Sequence, residues 1–193
     1  LPASLPRQPR GAALLARFSE HRFDPALQDR EPRVEELRRE FQEALDEVSS
    51  LPEDRALRAL FNLVEATVRT NYFQDRPWLS FKIRSADVHV MPEPRPLFEI
   101  LVVGPGLEAI HLRGGRVARG GLRWSDRPDD FRTEVLGLMK TQMVKNAVIV
   151  PVGAKGALVL KGAPTRRDEL QAFFTEQYRV FIRGMLDLTD NMV

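Results

Sequence analysis

The first third of the chain alternates apolar and charged residues with the period of an α-helix. Between Pro32 and Val48, apolar residues recur every three or four positions, and Glu and Arg fill most of the others. A second stretch of the same kind follows Pro52 and continues to Val68. We therefore predict a helical N-terminal segment, residues 1–75, whose charged rows are solvated faces.

In the second half the pattern changes to short β-rich runs separated by prolines and glycines. These runs predict strands over 79–84, 97–103, 107–112, 147–152 and 157–160. Two amphipathic stretches predict helices: one of about five turns opens at Pro128, behind the capping oxygens of Ser125 and Asp126, and the other covers residues 167–188. The fold class is therefore α/β, a mixed β-sheet flanked by helices over residues 76–193 and preceded by the helical segment.

The composition excludes several kinds of protein. The chain has 193 residues, no cysteine and a net charge of +2, which argues against disulfides, thiolate metal sites and generic polyanion binding. No run reaches the ~18 apolar residues of a transmembrane helix, and the N-terminus does not read as a secretory signal. The chain lacks an initiator methionine and stops at Val193, directly after an amphipathic stretch. We expect a piece of a longer cytoplasmic protein without a membrane partner.

Two long stretches contain no acidic residue. One covers residues 135–167 and the other residues 109–125, in a chain with 27 acids. Four of the five lysines lie in the first stretch, and four arginines lie among the glycines of the second. Glycine lets backbone N–H groups approach a ligand closely. Together the two stretches predict a site for a small anion with more than one negative group.

Three polar residues have the spacing of such a site. Gln142 and Lys145 are three residues apart on a predicted helix and share a face. Lys155 is predicted in a glycine-flanked loop after a strand, a usual place for a ligand crevice in an α/β sheet. Two amines that are close together and partly desolvated favour the neutral form of one of them, which can then act as a general base.

Other motifs are rejected on their context. Residues 104–109 (GPGLEA) superficially match a dinucleotide-binding fingerprint, but that motif needs a following helix to meet the pyrophosphate. We predict a strand–turn–strand hairpin there instead. The stretch 135–167 has no aromatic residue to stack on bases, so we expect no nucleic-acid partner. The three histidines lack the spacing of metal ligands.

Three ordered motifs resemble the substrate domain of glutamate dehydrogenases. They are residues 118–124 (ARGGLRW), 142–148 (QMVKNAV) and 151–156 (PVGAKG). Residues 115–127 (GRVARGGLRWSDR) and 131–140 (FRTEVLGLMK) are most similar to the very large NAD-specific enzymes of bacteria, and the likeness extends over residues 51–193.

The resemblance implies oxidative deamination of L-glutamate to 2-oxoglutarate and ammonia. It implies Lys155 as the catalytic lysine, Gln142 and Lys145 on the α-carboxylate, and Arg119, Gly120 and Gly121 in the substrate site, with Arg119 where compact relatives have the lysine that meets the side-chain carboxylate. It also implies NAD as the cofactor, bound by a domain outside this chain, and a homo-oligomer for the full-length enzyme. By itself the chain is expected to bind a dicarboxylate weakly without turnover.

Two other functions remain open. One is a substrate domain for a branched or aromatic amino acid, against which Arg119 argues, because an apolar substrate side chain would leave its charge unpaired. The other is a non-catalytic assembly or regulatory module of the same fold, in which Lys155 would be a structural residue.

Overall fold

A computed structural model describes residues 8–145 and 152–189, and for residues 143–145 it describes the backbone alone. The chain divides into two compact units, with the division between Glu65 and Ala66. The first unit is helical, and the second contains a mixed β-sheet with helices. The predicted α/β fold class, with a helical segment ahead of the sheet, is confirmed.

The described part of the first unit consists of three helices. They are α1 (Pro9–Phe23), α2 (Arg30–Asp46) and α3 (Leu51–Ala66). Each contributes one phenylalanine ring to a common core: Phe41 stacks on Phe61 with ring centroids 4.4 Å apart, and Phe18 lies 4.6 Å from Phe61. This burial of apolar side chains from all three helices stabilises the unit.

The charged rows of this unit lie at its surface, as predicted, and several of their side chains form ion pairs there. Arg33 pairs with Glu36 one helical turn away, and this hydrogen bond lowers the pKa of the Glu36 carboxyl from its usual value. Both side chains remain open to solvent, and surface pairs of this kind add little stability.

The helical prediction is wrong for the residues directly after α3. The chain leaves the helix at Ala66 and forms strand β1 (Thr67–Thr70), followed by a 3-10 turn at Tyr72–Gln74. Strand β1 pairs antiparallel with β2 (Leu79–Arg84). The β-branched threonines and the valine favour a strand. Pairing with β2, which comes later in the chain, made this segment a strand instead of a helix.

Seven described strands form the sheet of the second unit. Besides β1 and β2 they are β3 (Phe98–Val103), β4 (Leu107–Arg113), β5 (Ala118–Arg119), β6 (Leu122–Trp124) and β7 (Val152–Leu160). Their order is β1-β2-β3-β4-β7-β5, and β6 also pairs with β7. The pairs from β1 to β4 and the pair β4–β7 are antiparallel, whereas β5 and β6 run parallel to β7.

The glycine-containing turn between β3 and β4 is the predicted hairpin. The Gly104 N–H donates to the Leu107 carbonyl at 3.0 Å, and the two strands pair in register from Val103 to Phe98. A strand therefore follows this turn, and the rejection of a dinucleotide fingerprint at residues 104–109 is confirmed.

Two helices pack on opposite faces of the sheet. Helix α4 (Phe131–Lys145) contacts the face that carries Ile110 and Leu112, and helix α5 (Arg167–Leu186) contacts the face that carries Leu107 and Ala109. Successive residues of a strand point to opposite faces, so β4 separates two cores. We refer below to the α4 face and the α5 face.

Two local predictions about the second unit are wrong. Helix α4 begins at Phe131 instead of Pro128, and the Ser125 hydroxyl accepts a hydrogen bond from the Arg127 N–H, before the helix. Lys155 lies inside the nine-residue strand β7 instead of in a loop. Most of the predicted strand 147–152 lies outside the described residues.

The glycines on either side of Lys155 explain the second error. A Cβ at Gly153 would stand 3.0 Å from the side chain of Gln142, and one at Gly156 would stand 2.5 Å from the side chain of Leu122. These glycines allow neighbouring elements to pack closely on a continuous strand, a role that composition alone does not distinguish from a turn.

Among the described residues, none of the helices combines the length and hydrophobicity needed to cross a lipid bilayer.

Candidate functional site

The site is built on a short segment, residues 118–124, that runs alongside β7 and contains the strands β5 and β6. Ala118 pairs with Val152, and Trp124 pairs with Leu158, so one register holds from end to end. The ladder is interrupted in the middle, where the same register sets Gly120 and Gly121 opposite Ala154 and Lys155. We call residues 118–124 the edge segment.

The two glycines in the interruption have different surroundings. A Cβ at Gly120 would lie 1.5 Å from the carbonyl oxygen of Ala154, so the backbone there approaches β7 too closely for any side chain. A Cβ at Gly121 would meet no atom within 4 Å. The edge segment therefore contacts β7 at both glycines, and at Gly121 alone the position of a side chain is left open, beside Lys155.

Gln142 fixes the first end of the edge segment to helix α4. Its Nε2 donates to the carbonyl oxygen of Arg119 at 3.2 Å, and its side chain packs over Gly153. Its Oε1 is buried and has no hydrogen-bond partner among the described residues. A buried acceptor without a partner is costly, so this oxygen is a candidate for a further interaction.

Lys155 shares the α4 face with Gln142. Gly153 lies under Gln142, and Ala157 belongs to the core beneath α4, so the alternation of β7 turns Lys155 to the same side. The side chain is partly buried, and its amine forms no ion pair with any residue the structure describes.

The structure thus brings together five of the six predicted site residues. They are Arg119, Gly120, Gly121, Gln142 and Lys155. Arg119 is exposed, and within the described chain its guanidinium has no ion-pair partner. The backbone of Lys145 continues the helix one turn beyond Gln142, but its side chain lies outside the described residues.

Other cations of the acid-free stretches lie elsewhere. Lys161, just beyond the far end of β7, pairs with Glu108 at 3.4 Å, and six residue steps along the strand place it roughly 20 Å from Lys155. Lys140 is exposed on α4. Among the arginines, Arg123 pairs with Glu134 at 3.0 Å. The sequence pattern therefore overstated the number of cations at the site.

Sequence reasoning missed a polar cluster at the other end of the edge segment. Glu134, on the first turn of α4, accepts a hydrogen bond from the Ser125 hydroxyl at 2.8 Å and pairs with Arg123. Glu134 is the last acid before the long acid-free stretch. Its position in the sequence could have indicated this cluster, because an acidic residue at the border of a stretch rich in cations is expected to pair with one of them.

His111 lies on the α5 face, opposite Lys155. Burial, with a smaller effect of the charge on Arg113, lowers the pKa of its imidazole to about 4. Its Nδ1 is buried without a hydrogen-bond partner among the described residues. His111 is therefore neutral at physiological pH and takes no part in the arrangement on the α4 face.

Two kinds of site were considered among the described residues, a dinucleotide fingerprint at residues 104–109 and a cluster of metal ligands. The glycine-rich turn at residues 104–109 is followed by β4, so no helix N-terminus is present there to receive a pyrophosphate. Within the same described residues, no group of three or more His, Asp or Glu side chains is placed to hold a metal.

Comparisons with known proteins identify the family of the chain. A family model for the catalytic domain of bacterial NAD-glutamate dehydrogenase matches residues 40–193. The NAD-specific glutamate dehydrogenase of Halomonas elongata is 50% identical over 187 residues, which cover 93% of this chain and 12% of that protein. The enzyme of the same name from Pseudomonas aeruginosa is 51% identical over 173 residues, covering 86% of this chain and 11% of that protein.

A third relative, the NAD-specific glutamate dehydrogenase of Mycobacterium tuberculosis, is 51% identical over 162 residues, which are 77% of this chain and 10% of that protein. The chain thus spans about an eighth or less of the length of these curated relatives. Because the family match covers all of the sheet-containing unit, all of α3 and the end of α2, the chain belongs to the family of bacterial NAD-glutamate dehydrogenase catalytic domains.

Proposed function

We propose that this chain supplies the glutamate-binding part of an NAD-dependent glutamate dehydrogenase, with Lys155 as the general base. The observation that carries the proposal is the open space at Gly121 beside Lys155, on a face that also presents Gln142. A small substrate in this space would lie between the edge segment and α4.

The charges around this space suit a substrate with two carboxylates. Arg119 precedes the glycines on the edge segment and can bind a carboxylate through two parallel hydrogen bonds. Lys145, one turn beyond Gln142, supplies the second cation in this proposal. The two carboxylates of glutamate would then bind at opposite ends of the opening, with the reacting carbon near Lys155.

Gln142 has hydrogen-bonding capacity left for the substrate. One of the two N–H groups of its amide is used on the Arg119 carbonyl, which leaves the second for the α-carboxylate. Its buried Oε1 would accept a hydrogen bond from the substrate amino group, and the acceptor that lacks a partner would then be satisfied.

Lys155 is assigned the proton transfers. Its amine is partly buried and has no carboxylate partner among the described residues. In this proposal it takes a proton from the substrate amino group and later activates the water that attacks the imine. We propose that another part of the full-length protein binds NAD, since the glycine-rich turn at residues 104–109 is followed by a strand, and we derive no step through it.

The test is Lys155→Ala in the full-length protein. We expect kcat for glutamate oxidation to fall at least 100-fold, the usual contribution of a positioned acid–base group, with an unchanged unfolding temperature. Lys161→Ala is the matched control, since this lysine is held by Glu108 at the other end of the same strand, and it should keep activity within twofold. A Lys155→Ala enzyme of near-normal kcat would refute the assignment and favour a non-catalytic module.

A further inference from the structure

We propose that Glu134 is a positioning residue for this site, which holds the edge segment on β7 so that Gly121 stays beside Lys155. The inference rests on the proposed function, because it concerns the same opening. It goes beyond that function because Glu134 touches neither the opening nor Lys155 in the contacts described above, and it would act through the backbone of the edge segment.

The first step of the argument is that the edge segment is weakly held by its own ladder. β5 has two residues and β6 has three, and neither Gly120 nor Gly121 belongs to a strand. An edge element with an interrupted ladder and glycines at its centre has little to oppose a shift of register or separation from β7.

The second step is that α4 holds this element at both ends. Gln142 binds the Arg119 carbonyl before the glycines, and Glu134 binds Ser125 and Arg123 after them. The side chain of Glu134 is only 15% exposed and Ser125 is buried, whereas Arg123 is 53% exposed. The hydrogen bond with Ser125 is therefore shielded from solvent and is the stronger of the two interactions, and the pair with Arg123 adds less.

The third step links Glu134 to the backbone beside Lys155. The N–H of Ser125 donates to the Leu158 carbonyl at 2.9 Å, and the N–H of Gly156 donates to the Gly121 carbonyl at 3.2 Å. Both bonds require the edge segment to lie on β7. If Glu134 released Ser125 and Arg123, these bonds would open more often and the space at Gly121 would change its width.

The experiment uses Glu134→Ala, Glu134→Gln and Ser125→Ala in the full-length enzyme, with Glu108→Gln as the control. Glu108 also pairs with a cation, but at the distant end of β4 and β7. We expect Glu134→Ala to raise KM for glutamate about 10-fold and to lower kcat, since small displacements of a substrate site have effects of that size or greater. Glu134→Gln and Ser125→Ala, each of which retains part of the interaction, should give smaller rises, and Glu108→Gln should give none.

Hydrogen exchange of the backbone provides the second readout. In the Glu134→Ala and Ser125→Ala enzymes, the amides of Ser125 and Gly156 should exchange at least fivefold faster, while the Gly104 amide in the β3–β4 hairpin should keep its rate. A purely structural role would reduce the active fraction, which lowers apparent kcat at constant KM. An unchanged KM, or unchanged exchange at Ser125 and Gly156, would overturn the positioning role.

Failure of the proposed function has a different signature. It would appear as retained activity in Lys155→Ala, whatever the Glu134 variants do. Loss of activity in Lys155→Ala together with normal KM in all Glu134 and Ser125 variants would leave the catalytic assignment intact and refute the positioning role alone.

Discussion

At the scale of single residues, the two faces of the sheet treat their titratable groups differently. Lys155 on the α4 face is partly buried next to open space, whereas His111 on the α5 face lies among apolar side chains with its Nδ1 unpartnered in the described structure. Burial keeps the His111 imidazole neutral at physiological pH, whereas the role proposed for Lys155 rests on the open space beside it.

The environment of His111 predicts a loss of stability in mild acid. Its pKa is about 4 in the folded chain and 6.5 without the fold, so below pH 6.5 the unfolded state binds a proton that the folded state does not. Stability should therefore fall as the pH decreases from about 7 to 4, by up to about 3 kcal/mol from this residue, and the loss should level off below pH 4.

Denaturant unfolding of the 193-residue chain at a series of pH values measures this effect. His111→Leu should remove that part of the pH dependence, and His89→Gln, at an exposed position, should leave it in place. Parallel stability curves for the wild type and His111→Leu between pH 7 and 4.5 would contradict the prediction.

At the scale of elements, the interrupted edge segment decides the geometry of the candidate site. Its paired ends set the register on β7, and its two glycines stand where β7 carries Ala154 and Lys155. One glycine is required by close packing and the other leaves space. A substitution at the first glycine should therefore lower stability, whereas one at the second should affect substrate binding with little loss of stability.

Gly120→Ala should destabilise the chain by about 1–3 kcal/mol or more, because its Cβ would overlap the carbonyl of Ala154 and force the edge segment away from β7. Gly121→Ala has room for its Cβ and should change the free energy of unfolding by less than about 0.5 kcal/mol. In the full-length enzyme, however, Gly121→Ala should raise KM for glutamate.

Thermal and denaturant unfolding of both variants, with glutamate kinetics for Gly121→Ala, would test this pair. Equal stability losses in the two variants would show that the opening at Gly121 is absent in solution.

At the scale of the whole molecule, each unit has its own core, and the described parts of the candidate site belong to the sheet-containing unit. In the proposed function the opening presents groups for the substrate, whereas the glycine-rich turn at residues 104–109 is a hairpin. We therefore expect this chain by itself to bind substrate without turning it over.

We expect the 193-residue chain alone to bind 2-oxoglutarate weakly, in the millimolar range by comparison with small ligands held by few contacts, and to show no NAD-dependent glutamate oxidation. Isothermal titration measures the first property, and absorbance of reduced nicotinamide measures the second. Arg119→Ala should weaken binding, while Lys161→Ala should not. Measurable turnover by the chain alone would contradict this expectation.

Much of the fold could be predicted from the sequence because its signals are local. Strand β2 was placed at residues 79–84 from its β-forming residues, and α5 was placed to within two residues from its apolar period. The turn at residues 104–109 was assigned to a hairpin because no helical pattern follows. The candidate site residues came from acid-free composition and from motifs that resemble a known family.

What required the tertiary structure depends on partners distant in sequence. Thr67–Thr70 follows a helical pattern and becomes a strand because β2 pairs with it. Lys155 lies in a continuous strand because β4 and the edge segment approach on both sides of β7. Glu134 contacts Ser125 only after α4 has docked. The order of residues determined the local elements and the chemical groups available, whereas long-range pairing and close packing at glycines decided which of those groups face the same opening.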